Sequence, residues 1–187
     1  MKADYIWKEE FEHILAFLMP ENRLALEISL ATGLRIGDVL ALRKEQIRER
    51  VTITEAKTGK KRRIRLSAEL RRRLEAQAVG EWAFPHRTDA SKHRTRQAVY
   101  ADLRRAAKAM RLPKALHCTP HSARKIAAVE LYRKSGDLGK VKRLLNHSGE
   151  AVTMVYAMAD TLTQRRLGQV GGRYTGAQQS VAKNAKK

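Results

Sequence analysis

Apolar side chains recur at helical spacing at Phe11, Ile14, Leu15 and Leu18, and Pro20 closes the run, which predicts a first helix over residues 7–19. A second stripe through Leu24, Ile28, Leu30 and Ala31 stops at Gly33. A third starts at Ile36 and continues through Val39 and Leu40, with Gly37 and Asp38 in its first turn. Arg35 falls in the break between these two helices. The period then changes from 3.6 to 2. Residues 51–54 alternate β-branched with polar positions, 57–60 (Lys-Thr-Gly-Lys) have turn chemistry, and 63–66 alternate again, which predicts a β-hairpin with Lys57 at its tip. Ser67 can cap a helix that carries Leu70 and Leu74 on one face, and residues 80–91 form a polar loop around Phe84 and Pro85. Further helices are predicted over 94–110, 122–134, 138–145 and 151–157. The predicted fold class is mainly α with a small antiparallel β-sheet.

Residues 1–170 are expected to form one domain, since 187 residues with 43% hydrophobic content suffice for a single core. Residues 161–170 can form a short helix whose Leu162, Leu167 and Val170 need a surface to cover. Residues 171–187 are rich in Gly, Gln and Lys and are expected to be a disordered basic tail.

Charge narrows the function. Lys and Arg total 39 against 19 acidic residues, a formal charge of +20, which implies a polyanionic partner. No apolar run approaches the roughly 20 residues that cross a bilayer, and the N-terminus lacks a signal-peptide core, so nucleic acid is favoured over membrane. One cysteine, Cys118, leaves no intramolecular disulfide or multi-cysteine metal site. It suits a reducing cytoplasm and a buried thiol. Of Arg62, Arg63, Arg65, Arg71 to Arg73, Arg94, Arg96, Arg104, Arg105 and Arg111, most are expected on solvated faces and some against DNA phosphates. Were eight of the basic groups to meet phosphates, log affinity would fall with log salt at a slope of about seven.

Chemistry is sought where polar groups coincide with structural breaks. Four places qualify: Arg35 within Ala31-Thr32-Gly33-Leu34-Arg35, followed three residues on by Asp38; Lys57; His121 with Arg124 one helical turn later; and Asn146-His147-Ser148 with Tyr156 nine residues beyond the histidine. In this order and spacing the boxes resemble those of the tyrosine recombinases, the family of phage integrases and chromosome-dimer resolvases, over roughly residues 11–166.

Taken singly, each residue also has a structural explanation: a junction arginine, a solvated lysine, a carboxylate on a helix dipole, a capping histidine or a core tyrosine. The four places together outweigh these. Asn146 stands where the family more often has glycine.

The resemblance implies a recombinase catalytic-domain fold and a metal-free, cofactor-free phosphodiester exchange on duplex DNA. Arg35 and Arg124 would present guanidinium forks to the phosphate, with His121 and His147 adding single donors. Tyr156 would attack to form a 3′-phosphotyrosyl link, His121 would act as base, and Lys57, mobile at its tip, would protonate the departing 5′-hydroxyl. Asp38 is expected to orient Arg124 or His121 without touching DNA. No glycine-rich phosphate loop or two-metal carboxylate cluster is present in the sequence.

Assembly into a homo-tetramer on synapsed DNA is expected from a protein that is monomeric in solution, with helix 161–170 docking on a neighbouring protomer. Localisation is expected with the nucleoid of a bacterial or phage-infected cytoplasm. Family members usually carry a separate N-terminal helical domain that closes around the duplex. Because Met1 lies almost at the catalytic boxes, either a longer parent chain or an accessory DNA-binding protein is expected. Rival readings are a type IB topoisomerase, which would relax supercoils without sequence preference, and a non-catalytic DNA-binding regulator. An RNA-binding protein fits least, with aromatic content of 5%.

Overall fold

The computed structural model describes residues 6–111 and 118–146. His147, Tyr156, the predicted helices at 151–157 and 161–170 and the basic tail lie outside them.

The chain runs α1 (Lys8–Ala16), α2 (Pro20–Thr32), α3 (Ile36–Leu40), β1 (Arg50–Thr54), β2 (Lys61–Arg65), α4 (Ala68–Gln77), α5 (Arg96–Ala109), α6 (Pro120–Ser135) and α7 (Leu138–Leu145), with a single 3-10 turn at Lys44–Gln46 after α3. Helix starts follow their caps. Ser67 Oγ accepts from Leu70 N–H, Thr95 Oγ1 from Ala98 N–H, and Asp137 Oδ1 from Gly139 and Lys140 N–H. Thr119 and Ser122 form a reciprocal capping box that opens α6 at Pro120, two residues before the predicted start. Pro20 likewise has two roles: it ends the first apolar run and occupies the first turn of α2, where its missing N–H costs nothing.

Helices α2 and α6 pack together at the centre. Leu24, Leu26 and Ile28 of α2 and Ala123, Ile126 and Val129 of α6 join one core with Phe11, Ile14 and Leu15 of α1 and Val99 and Leu103 of α5. Helix α6 is buried on nearly every side, as expected for the central helix of a layered domain. Helix α7 closes a smaller cluster through Val141 and Leu145 against Ala128. Among the described residues no helix is long and apolar enough to cross a membrane.

The hairpin is antiparallel, with Arg50 opposite Arg65, Val51 opposite Ile64, Thr52 opposite Arg63, Ile53 opposite Arg62 and Thr54 opposite Lys61. Both strands alternate between exposed and buried. The inward face therefore carries Val51, Ile53 and Ile64, but also Arg62. The outward face sets Arg50 directly across from Arg65, beside Arg63 and Lys61.

Two arginines of the group expected to be mostly solvated are buried. Arg62 and Arg94 are 9% and 7% exposed, because each finds polar partners inside. Arg62 donates to the carbonyls of Thr32 and Gly33, and Arg94 donates to Asn22 Oδ1. Cys118 is buried as expected, and burial pushes its thiol up to about 12.

Candidate active site

The box around Gly33 is fixed first by its own backbone. Gly33 caps α2 in the left-handed region at φ +67, a conformation costly for any residue with a Cβ. It also admits a close neighbour. A Cβ added there would lie 2.9 Å from Leu144 Cγ of α7, so the end of α7 rests directly on this turn. The turned carbonyl of Gly33 accepts from both Arg62 and Arg124. Two buried guanidinium groups thus hold the segment that positions Arg35.

Arg124 is 1% exposed and spans two elements. Its Nη1 donates to Gly33 O at 2.6 Å and its Nη2 to Leu145 O at 2.6 Å, tying the first box to the C-terminus of α7. Two residues after Leu145 comes His147. Asn146, between them, adopts φ 51 and ψ 36 as the cap of α7. Its replacement of the more common glycine is thereby explained, since the position needs the left-handed region and asparagine reaches it more readily than other side chains.

Arg35 caps α3 with an extended backbone, so its side chain leaves the helical path and meets the hairpin. Its Nη1 donates to Glu55 Oε2 at 2.5 Å. Glu55, wholly buried, also accepts from Thr58 Oγ1 at 3.1 Å through Oε2, and its Oε1 lies 3.6 Å from Arg62 Nη1. Burial pushes its carboxyl up, but the bond and charge of Arg35, with help from Thr58 and Arg124, outweigh that. The carboxyl is held below its usual range, and Glu55 is ionised at neutral pH.

Asp38 differs from expectation. Its Oδ1 accepts from the backbone N–H of Ala56 at 3.0 Å, and neither oxygen meets Arg124 or His121. The reason is geometric: from the first turn of α3, Asp38 faces the hairpin rather than α6. Its effect is on Lys57, the next residue after Ala56. Lys57 is therefore not on a free tip. Asp38 binds the backbone just before it, and Glu55 O accepts from Thr58 and Gly59 N–H just after it.

His121 lies in the first turn of α6, while Arg124, one turn later, is buried. The histidine is held below its ordinary value. Desolvation is the largest cause, followed by the positive charges of Arg124, Arg35, Lys57 and Arg96. His121 is thus neutral at physiological pH and able to accept a proton. The four charges acting on it come from α6, the α2–α3 junction, the hairpin tip and the start of α5. Of the six predicted catalytic residues, Arg35, Lys57, His121 and Arg124 are brought together. His147 and Tyr156 lie outside the described residues.

Arg96 was not singled out from the sequence. The carbon stem of this side chain crosses α3, and a Cβ on Gly37 would meet Arg96 Cδ at 3.3 Å. Glu55 and Arg62 were also missed, yet both carry a readable signal. They occupy the inward parity of the hairpin together with Val51, Ile53 and Ile64, where a charged residue needs an internal partner.

The chain is similar to known recombinases in sequence and in fold. The chain is 27% identical over 173 residues to the probable integrase/recombinase YoeC of Bacillus subtilis, covering 88% of this chain and 93% of that one. It is 30% identical over 148 residues to the tyrosine recombinase XerD of Bradyrhizobium diazoefficiens, covering 70% of this chain but only 46% of the relative. A lambda integrase (75–356) dimer bound to a COC′ core site superposes with a TM-score of 0.70 at 22% identity, over 84% of this chain and 60% of that one, which shows a shared fold. The model of the phage integrase family matches residues 4–162, and this chain, with its arginines, lysine and histidine drawn to one place, belongs to that family.

Proposed function

We propose that this protein is the catalytic domain of a site-specific DNA recombinase that cuts and rejoins strands through a 3′-phosphotyrosyl link to Tyr156. The observation that carries this is the convergence of Arg35, Lys57 and Arg124 on His121 from three separate segments. A scissile phosphate placed among them would meet two guanidinium groups for its non-bridging oxygens, a neutral imidazole to take a proton, and an ammonium to give one. Each oriented donor contributes about 10²–10³-fold in rate. His147 would add another donor. The 5′-hydroxyl of a second strand reverses the attack, so the bond energy is kept in the phosphotyrosine and rejoining needs no nucleotide.

Incubation with nicked suicide duplexes carrying candidate sites tests the proposal directly. The expected product is an SDS-resistant protein–DNA adduct, and its absence on every recombination-competent site would overturn the reading. Persistent relaxation of supercoils without sequence preference would instead favour the topoisomerase alternative.

The assembly we propose is a tetramer on two duplexes, with residues 1–170 as the catalytic unit and 161–170 docking on a neighbour. The chain spans about half the length of the XerD relative and nearly all of the YoeC relative. Light scattering on synapsed DNA checks the tetramer, and a stable monomer there would count against it. Nucleoid association follows from DNA binding.

The state of His121 sets a pH dependence. A base whose value is lowered from about 6.5 keeps its lone pair as pH falls through that point and is protonated only below it. The rate of adduct formation should therefore stay level from pH 8 to about 6.5 and decline below. A decline centred above pH 7 would show that His121 is not the base.

A further inference from the structure

Glu55 has no place in the chemistry described above, yet it is a buried carboxylate paired directly with Arg35. It is wholly buried, lies two residues before Lys57, and divides its two oxygens between different tasks. Oε2 receives Arg35 Nη1 at 2.5 Å and Thr58 Oγ1 at 3.1 Å. Oε1 receives no hydrogen bond and only faces the charge of Arg62 at 3.6 Å. A carboxylate that served merely to neutralise buried cations would have little need of this asymmetry. The short contact lies on the Arg35 side, and Arg35, at 14% side-chain exposure, is the guanidinium with room to reach outward. With one Nη fixed by Glu55, the planar group retains one orientation, and its remaining N–H bonds point along set directions. The same backbone that carries Glu55 carries Lys57, and it is anchored to α3 by Asp38 through Ala56 N–H.

We infer that Glu55 is a positioning residue: through Oε2 it sets the orientation of Arg35 toward the phosphate and registers that arginine with the hairpin lysine. The inference rests on the recombinase reading for its consequence in catalysis, though not for the contact itself. A carboxylate inside an anion-binding site opposes binding of DNA. Its retention is explained if what it contributes is geometry during the reaction rather than affinity for the duplex.

Two substitutions separate reach from charge. Glu55→Gln keeps the length and an acceptor oxygen for Arg35 and Thr58 but removes the charge. Glu55→Asp keeps the charge but withdraws the carboxylate by about 1.5 Å, one carbon–carbon bond. On saturating suicide duplex, the adduct-forming rate of E55Q should stay within about 10-fold of wild type, whereas E55D should fall about 10²-fold, the scale expected for a misplacement of an ångström or more. DNA affinity, read by fluorescence anisotropy, should not weaken in either variant. An E55D rate equal to or above that of E55Q, or a loss of affinity in step with rate, would overturn the inference. Should the uncompensated charge of Arg62 unfold E55Q, the comparison is made in an Arg62→Met background.

A readout independent of cleavage is the nitrogen-15 spectrum of the Arg35 guanidinium, identified with Arg35→Lys. Its N–H signals should be separate and slowly exchanging in wild type and E55Q, and averaged in E55D. Averaged signals in the wild type would overturn the positioning role even if cleavage were intact. Failure of the wild type to form any adduct would instead sink the recombinase reading and leave the spectrum to decide the contact.

Discussion

Arg124→Ala should lose both stability and strand cleavage, each by a large factor. The side chain is buried, and its two Nη groups satisfy the carbonyls of Gly33 and Leu145, which belong to different elements. Truncation takes this donor from Leu145 O and leaves Gly33 O only the longer contact from Arg62, in a space the guanidinium had filled, at a cost of about 3–5 kcal/mol. For a domain with ordinary stability of about 5–15 kcal/mol that is a major fraction, and a fall in melting temperature of roughly 10 °C is expected. On the proposed mechanism, loss of a phosphate donor adds about 10²–10³-fold in rate among molecules that remain folded. Arg124→Lys should recover little, because one ammonium cannot bridge two carbonyls and also present a fork to an anion. Thermal melts paired with adduct assays well below the midpoint would separate the two losses. A variant melting with the wild type would show that Arg124 does not hold the two boxes together.

Tyr156→Phe should abolish the covalent adduct, a loss of at least ~10⁴-fold, the scale of removing a nucleophile, while leaving duplex affinity within about twofold. The ring and its volume remain; only the oxygen proposed to attack is gone. Phenylalanine at Tyr100 or Tyr132 should leave adduct formation intact. Tyr100 lies on the outer side of α5 with Arg104 over its ring at 5.9 Å, and Tyr132 packs beside the small α6–α7 cluster, so neither belongs with His121 and Arg124. Gel analysis under denaturing conditions checks all three. An adduct that survived Tyr156→Phe would assign the nucleophile elsewhere.

Local features of the fold were legible because they are governed by local chemistry. The apolar stripe of α1, the Gly33 stop, the Ser67 cap and α7 all follow from side chains within one or two turns. The starts of α5 and α6 shifted by two residues, since Thr95 and Thr119 outcompete their neighbours as caps. At the site, Arg35 at its junction and Lys57 near its turn were visible. What joins them was not: Glu55 meets Arg35 across 20 positions, and Arg124 meets Gly33 across 91. Such pairings depend on how helices stack, which spacing along a chain does not encode. Arg62 departs from the solvated majority of arginines because its strand parity, shared with Ile64, turns it inward. Asp38 was read along its own helix, whereas its neighbour in space is the hairpin backbone.

The pairing of Arg50 across from Arg65, with Arg63 and Lys61 alongside, bears on how the free and bound forms answer to electrolyte. Like charges directly opposite on an antiparallel ribbon repel, although Glu49 pairs with Arg65 at 2.9 Å. Added ions screen that repulsion and the excess positive charge of the whole molecule, so they firm up the unliganded protein. The same ions compete with its contacts to a nucleic-acid backbone and loosen the complex. Storage stability and grip on DNA therefore pull toward opposite ends of the ionic-strength scale.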